Sequence, residues 1–283
     1  MKQRIKKMTI VGILICLLIS ILLSKYVLTV SYYSLELDQV TELIRILQIS
    51  DLHNAIFGKN NQYLIDVIEK HQPDLILMSG DMINEDEQNL DVIVALIEQL
   101  SSSYPVYYSL GNHEVSYIQN EDDHLIEELE KAGAHVLDFA YEDITINQQS
   151  LRIGGIYGYC LAEKYLETNE ASIDECNFLT EFQTTENLTL LMSHLPIAWM
   201  INDGLDQWDV DVVVSGHLHG GVINIPFIGG IYGPDLVWFC GKVKGLFTSS
   251  DNKRYLIVSS GLGSHGLLPR VNNQPEIVII DLK

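Results

Sequence analysis

The chain has 283 residues and a formal charge of −21, from 17 Lys and Arg against 38 Asp and Glu. Residues 1–30 hold five bases and no acid, so the remainder carries 12 bases against 38 acids, or −26. The length allows one large domain or two ordinary ones with a full core, and the acidity argues against a nucleic-acid backbone as partner, because the soluble part has no basic stripe. A small phosphate substrate remains compatible, since a metal ion's local charge outweighs the overall field.

The N-terminus reads as a membrane segment. Lys2, Arg4, Lys6 and Lys7 precede an apolar run from Met8 to Ser24, and after Lys25 the run continues through Tyr26 to Val30. Roughly 20 apolar residues cross a hydrocarbon core, and Lys25, near one end, can snorkel. The basic flank favours an N-terminus inside and the bulk of the chain outside the cytoplasm, as a single-pass cell-membrane protein. A cleaved signal peptide is the alternative, but no Ala-x-Ala-like site follows the run. Cys16 lies inside the span and reads as an ordinary buried apolar residue. Residues 31–44 are expected to be a connector, and residues 45–283 the catalytic domain.

Beyond the connector, short apolar runs end in metal-ligating residue types. Ile46 to Ile49 leads to Ser50-Asp51-Leu52-His53. Gln62 to His71 has Leu64, Ile65 and Ile68 on one side, a helical spacing closed by Pro73. Leu75 to Ser79 leads through Gly80 to Asp81. Asn84 to Ser101 carries Leu90, Ile93, Val94, Ile97 and Leu100 at helical spacing, with an acidic start suited to a helix N-terminus. Val106 to Leu110 leads to Gly111-Asn112-His113-Glu114, and another helix is expected over residues 120–132, followed by a return strand from His135. This strand, ligand, helix rhythm predicts an α/β fold with a helix-covered sheet.

The middle changes character. Ile144 to Ile146 and Leu151 to Ile153 flank a polar turn and read as a hairpin; the acidic stretch 163–186 is expected to include a helix. Leu188 to Ser193 leads to His194, Ile197 to Met200 starts a short helix, and Val210 to Ser215 leads to Gly216-His217-Leu218-His219. Val222 to Ile225, Tyr255 to Ser260 and Glu276 to Leu282 predict further strands. Cys160, Cys176 and Cys240 leave both a Cys160–Cys176 disulfide and free thiols open.

Asp51, His53, Asp81, Asn112, His194, His217 and His219 supply seven oxygen or nitrogen ligands and no thiolate. That set suits Mn, Fe or Zn better than an all-oxygen Mg or Ca site. The ordered blocks Asp51-x-His53, Gly80-Asp81, Gly111-Asn112-His113-Glu114, His194 and Gly216-His217-x-His219 resemble the calcineurin-like metallophosphoesterase superfamily. The tail, with Gly261-Leu262-Gly263 and Pro275-Glu276-Ile277, is similar to its membrane-associated bacterial branch. The resemblance implies a four-layer αββα sandwich of two mixed β-sheets flanked by helices. It implies two divalent or mixed-valence ions (Mn, Fe or Zn): Asp51, His53 and His219 for the first, Asn112, His194 and His217 for the second, and Asp81 bridging. His113 is implied to meet the phosphate and to protonate or stabilise the leaving oxygen, which makes His113 and Asp81 the catalytic pair.

Two such ions, about 3.5–4 Å apart, would acidify a bridging water for in-line attack on phosphorus and grip the phosphate oxygens, with no covalent phosphoenzyme required. The expected substrate is a phosphorylated small molecule or lipid in the cell envelope. Phosphodiester or pyrophosphate hydrolysis is the near alternative, and an inactive envelope scaffold the distant one. His71, His124 and His135 read as structural or solvated. His265 could contact substrate, Glu114 could orient a neighbouring group, and Asn54 could donate to the site. Trp238-Phe239 could form a lipid-facing or substrate-covering loop. No nucleotide-cradling loop ends in Lys-Ser/Thr, and no Gly-x-Ser-x-Gly elbow surrounds Ser193.

Overall fold

In a computed structural model, the apolar runs that end in ligand-type residues become neighbouring strands of two sheets. The structure describes residues 2–87, 89–120, 124–158, 173–201, 203–225, 228–232, 238–241, 243–264 and 268–283. The first sheet has the order β1 (Thr29–Leu35), β15 (Glu276–Leu282), β2 (Ile44–Ile49), β3 (Leu75–Ser79), β4 (Val106–Ser109), β5 (Ala134–Val136). The second runs β13 (Gly245–Thr248), β14 (Tyr255–Val258), β9 (Val212–Ser215), β8 (Leu188–Ser193), β7 (Gln149–Ile156), β6 (Ala140–Ile146). Both are mixed: β2, β3, β4 and β5 run parallel, as do β14, β9, β8 and β7, while β15 against β2 and the β6–β7 hairpin are antiparallel. A small third sheet joins β10 (Asn224–Ile225), β11 (Gly229–Tyr232) and β12 (Trp238–Gly241).

The period of two along a strand assigns each side chain to a layer. Ile44 and Ile46 of β2, Leu75 and Leu77 of β3, Leu190 and Met192 of β8 and Val212 and Val214 of β9 meet in the core between the sheets. Leu47, Ile49, Ile76 and Met78 face the other way, onto α2 (Gln62–His71), α3 (Asp91–Ser101) and α5 (Leu125–Lys131). Leu191, Val213 and Val258 face α6 (Ile173–Phe182) and α7 (Ile197–Met200). Helix, sheet, sheet, helix is thus the observed layering, an α/β four-layer sandwich, and strands covered on both faces are apolar at nearly every position for that reason.

Several boundaries depart from the sequence reading. The expected connector 31–44 contains most of β1, an edge strand paired in parallel with β15 from Thr29↔Glu276 to Leu35↔Leu282. Its half-polar composition hid it, and its partner lies at the far end of the chain. A helix, α4 (Asn112–Asn120), begins within the Gly-Asn-His-Glu block itself, so the helix expected over 120–132 is two, α4 and α5. The segment from His135 pairs in parallel with β4 and is not a return strand. Residues 84–87, 89 and 90 are not helical, and α3 begins at Asp91. Cys176 is disulfide-bonded, and Cys160 lies outside the described residues, as do His265 and the Trp238 and Phe239 side chains.

The N-terminal α1 (Lys2–Tyr26) is long and apolar enough to cross a bilayer, over Gln3–Tyr26. Its apolar side chains are largely exposed, and Cys16 is a free, exposed thiol on that helix, not one covered by protein. Two hydroxyls near its C-terminal end accept bonds from the body of the protein: Ser20 Oγ from the Asn272 amide at 2.8 Å and Ser24 Oγ from the Asn273 amide at 3.0 Å.

Candidate metal centre

Parallel strands deliver their following loops to one edge, which is where open α/β sheets collect ligands. Here β2, β3 and β4 of one sheet and β8 and β9 of the other deliver theirs to the same cleft. Two bonds stitch the sheets together there. Buried Gln48 Nε2 donates to Ser79 Oγ on the neighbouring strand at 2.8 Å and, across the sheets, to the Ser215 carbonyl at 2.9 Å. The second is His194 Nδ1, which donates to the Ser79 carbonyl at 2.8 Å.

The loops carry Asp51, His53, Asp81, Asn112, His194, His217 and His219 into mutual reach; six of the seven are buried and Asn112 is half-buried. Three overlapping groups have ligand atoms within 4.8 Å of one another: Asp51, His53 and His219; Asp81, His194 and His217; and His53, Asp81 and His113. Asp81 Oδ2 lies 3.0 Å from His194 Nε2 and 3.9 Å from His53 Nε2. Asn112 Oδ1 lies 3.0 Å from His217 Nδ1, and Asp51 Oδ1 accepts the His217 amide at 2.9 Å.

The backbone is bent to achieve this. Asp51, His53, Asp81, His217 and His219 all have φ between 46° and 67°, a region that costs L-residues roughly 1–2 kcal/mol each and in which Asn, Asp and His are enriched. Such conformations persist where the surroundings over-determine them, commonly at functional sites. Close packing supplies the constraint: a Cβ on Gly216 would overlap Ser50 Oγ and the Asp51 carboxylate, and one on Gly111 would overlap Asp81.

Around the donors, a set of bonds fixes ring orientation. His53 Nδ1 meets Asn84 Oδ1 at 3.1 Å, and His194 Nδ1 meets Ser79 O, so each turns Nε2 inward, the usual arrangement of a histidine ligand. His194 Nε2 is buried without a hydrogen-bond partner; it is close to Asp81 but poorly aligned for a bond. Arg270 Nη2 donates to His219 Nδ1 at 3.2 Å, which leaves the neutral ring's proton on Nε2, so taking a cation there requires the proton to move and this contact to exchange. Glu114, fully buried, accepts the amides of Asp81 (2.8 Å), Met82 (2.7 Å), Ile83 (3.3 Å) and Gly111 (2.8 Å) and the Tyr108 hydroxyl (2.7 Å). It therefore clamps the Asp81 loop to the start of α4, the orienting role expected of it.

Electrostatics suit cation capture. Burial pushes His53 down to about 3 and His219 well below the usual imidazole range, leaving both neutral. Burial opposes charge on His194 too, but Asp81, then Asp51, outweigh it and lift that ring to about 10. Burial would also raise Asp81, yet His194 and His53 hold it below its ordinary value. Neutral imidazoles at His53 and His219, a low-pKa carboxylate and, once its proton leaves, the buried Nε2 of His194 are the donor chemistry of a borderline divalent metal, so the residues fit the group.

His113 sits in the first turn of α4. Its amide donates to Asp81 Oδ1 at 2.9 Å, and its Nδ1 accepts the Glu85 amide at 3.1 Å. The other expectations divide. Asn54 donates to Glu87 at 2.7 Å and not into the site. His71 lies against Tyr32, His124 against Glu127 and His135 against Glu142, away from the cleft. The roles of Asn84, Arg270, Asn273 and Gln48 were not foreseen: Gln48 and Asn84 lie within three residues of Asp51 and Asp81 but read as strand and helix positions, and Arg270 and Asn273 lie outside the ligand-bearing blocks.

The sequence profile of the calcineurin-like phosphoesterase family matches residues 44–221, well over half of the chain. The chain belongs to this family. As a phosphoesterase of that group it is a metal-dependent phosphoester hydrolase. It is 29% identical over 273 residues to an uncharacterised metallophosphoesterase of Aquifex aeolicus, covering 92% of this chain and 94% of that protein. It is 29% identical over 257 residues to one of Campylobacter jejuni, covering 88% of this chain but only 61% of the relative's length. It is also 28% identical over 245 residues to the phosphodiesterase YaeI of Escherichia coli, covering 84% and 82%. Among solved structures, the 5'-nucleotidase precursor of Thermus thermophilus aligns at 14% identity and a TM-score of 0.47, over 77% of this phosphoesterase and 48% of that chain.

Proposed function

We propose that the phosphoesterase is a dinuclear hydrolase of phosphate esters, acting on an envelope, lipid or small-molecule phosphate. The observation that carries this is Asp81: a carboxylate 1% exposed belongs to two nitrogen-rich clusters at once, one built on His53 and one on His194 and His217. On this reading Asp51, His53 and His219 hold one cation, Asn112, His194 and His217 the other, and Asp81 is shared. Residues 45–283, with β1 added at the edge, form the catalytic unit. Manganese, iron or zinc suits the oxygen and nitrogen donors.

When bound, the two cations would polarise the phosphoryl group and acidify water as the nucleophile. The chain's own residues do the rest. Asp81 holds negative charge where no water solvates it, beside an Asp51 carboxyl that burial pushes up, Asn84 and the Ser79 carbonyl orient His53 and His194, and Glu114 fixes the loops. His113 accepts the Glu85 amide at Nδ1, so its neutral ring carries the proton on Nε2, ready for a departing alkoxide. The apolar run of α1, preceded by four bases in its first turns, supports a single-pass anchor with the catalytic unit outside the cytoplasm. The bonds from Ser20 and Ser24 to the domain favour a retained helix over a removed leader. A phosphodiester or pyrophosphate substrate is the second reading, favoured by a relative named a phosphodiesterase. The complete donor set speaks against an inactive scaffold.

The test uses the purified chain loaded with Mn, Fe, Zn or Mg and a panel of mono-, di- and pyrophosphate esters. Two ions per chain and metal-dependent cleavage are expected. Asp81→Asn should lose both ions together with turnover, whereas His113→Ala should keep its ions and lose about 10²–10⁴-fold in kcat. A preparation that never holds more than one ion and cleaves no phosphoester would overturn the reading.

A further inference from the structure

A cavity of about 510 Å³ opens beside the metal centre, and its wall is made partly by the N-terminal helix. His53 and Arg270 line its inner end. Ile56 and Leu268 form its sides, and Ile21 and Lys25 of α1 close it. Its volume falls in the ordinary range for small-molecule sites, about 300–1,000 Å³.

Three observations bear on what fills it. The cavity is continuous with the cleft, because His53 belongs both to its lining and to the cluster with Asp51 and His219. Its lining mixes polar groups, among them Lys25 and Ser264, with two open apolar side chains: Ile56 is 58% and Leu268 46% exposed, an amphipathic finish unusual for the approach to a water-soluble phosphate. Finally, α1 is docked in place, not merely tethered. Ser24 Oγ accepts the Asn273 amide, and Asn273 Nδ2 in turn donates to the His219 carbonyl, so two steps connect the helix to the metal centre. If α1 spans the bilayer, Lys25 lies at the end of the span, the level at which lipid phosphates sit.

We propose that this cavity receives a membrane lipid bearing a phosphate ester. Its phosphate would enter past Lys25 towards His53 and His113, and its chains would lie between Ile56, Leu268 and the last turns of α1. The proposal rests on the hydrolase reading and on a retained membrane helix, and it makes α1 a wall of the substrate site. In the reaction, water adds to phosphorus and the bond from phosphorus to the lipid oxygen breaks. The proton passes to that oxygen, releasing a lipid alcohol and phosphate.

The experiment takes the full chain, metal-loaded, in phosphatidylcholine vesicles doped with dioleoyl phosphatidate, and compares its turnover with that of water-soluble glycerol phosphate. A preference for the lipid of about tenfold or more is expected, and Ile56→Glu or Leu268→Gln should shift that ratio by about tenfold towards the soluble ester. A second readout is independent of turnover: phosphatidate with a diazirine in its acyl chain should label peptides carrying Ile56, Leu268 and the C-terminal end of α1. Equal turnover of both esters, with neither variant changing the ratio, would overturn the lipid assignment while leaving the hydrolase reading intact. So would labelling confined to the N-terminal half of α1. Cavity labelling without cleavage of either monoester would support the lipid site and overturn its assignment as a lipid phosphomonoesterase.

Discussion

His194 and His53 are both buried imidazoles beside Asp81, yet their charge states are opposite. His53 has Asn84 behind it and burial wins, holding it near 3, so at neutral pH its ring is uncharged. His194 has both Asp81 and Asp51 near it and keeps its proton up to about 10. A cation entering the cluster of Asp81, His194 and His217 must therefore displace that proton, whereas one entering the cluster of Asp51, His53 and His219 takes none from its histidines. Because ligand atoms must be deprotonated, metal affinity at the His194 cluster should rise with pH, by up to about tenfold per unit below the ring's pKa. Titration calorimetry in two buffers of different ionisation heat reads the protons directly. Filling both positions at pH 7 should release at least one proton per chain, and zero release would contradict the charge assigned to His194.

The strand ends, with the loops they launch, are the elements that make the site, and they were the most legible part of the chain. Strands buried on both faces have to be apolar throughout, so the residue at which polarity begins marks the C-terminal edge. This is why Leu75–Ser79 and the polar loop that follows it could be read without a structure. The helix α2 was legible from its period and the flanking Pro73. What stayed hidden depends on partners remote in sequence: β1 is recognisable only beside β15, and Arg270 only once its loop packs under His219. The start of α4 was hidden differently, since Asp81, a residue 31 positions upstream, supplies the anion at the Asn112 N-terminus through its bond to the His113 amide. Glu114 shows how strongly these loops depend on one side chain. With Glu114→Gln, either amide orientation sets an NH₂ against at least two inward-pointing N–H or O–H donors. Unfolding by urea should then show a loss of about 2–3 kcal/mol, with weaker metal retention. A loss below about 0.5 kcal/mol would mean that the clamp is not what holds the Asp81 loop.

Taken together, the molecule places an anion-binding centre in a strongly acidic body. Outside residues 1–30 the charge is −26, and exposed Glu85 and Asp86 lie on the very loop whose amide holds His113. The bound cations would attract a phosphate at contact distance, but the wider field repels it during approach, and fields focused by a cleft act on association rates. Salt separates the two ranges. Screening length falls from about 30 Å at 0.01 M to about 8 Å at 0.15 M, so the distant acids are silenced while the charges in the cleft are little affected. For a soluble dianionic ester, kcat/KM should therefore rise, by about two- to fivefold, over that interval, with kcat unchanged. A fall would mean that attraction from the cleft already governs capture at long range. The same repulsion bears on how the protein meets an anionic bilayer. An acidic domain gains nothing from such a surface electrostatically, and the bases that could reach the headgroups, Lys2, Arg4, Lys6, Lys7 and Lys25, all belong to α1. On the anchored reading, contact with the membrane would fall, among the described residues, to α1, and that helix is bonded through Ser24 and Asn273 to the backbone of His219.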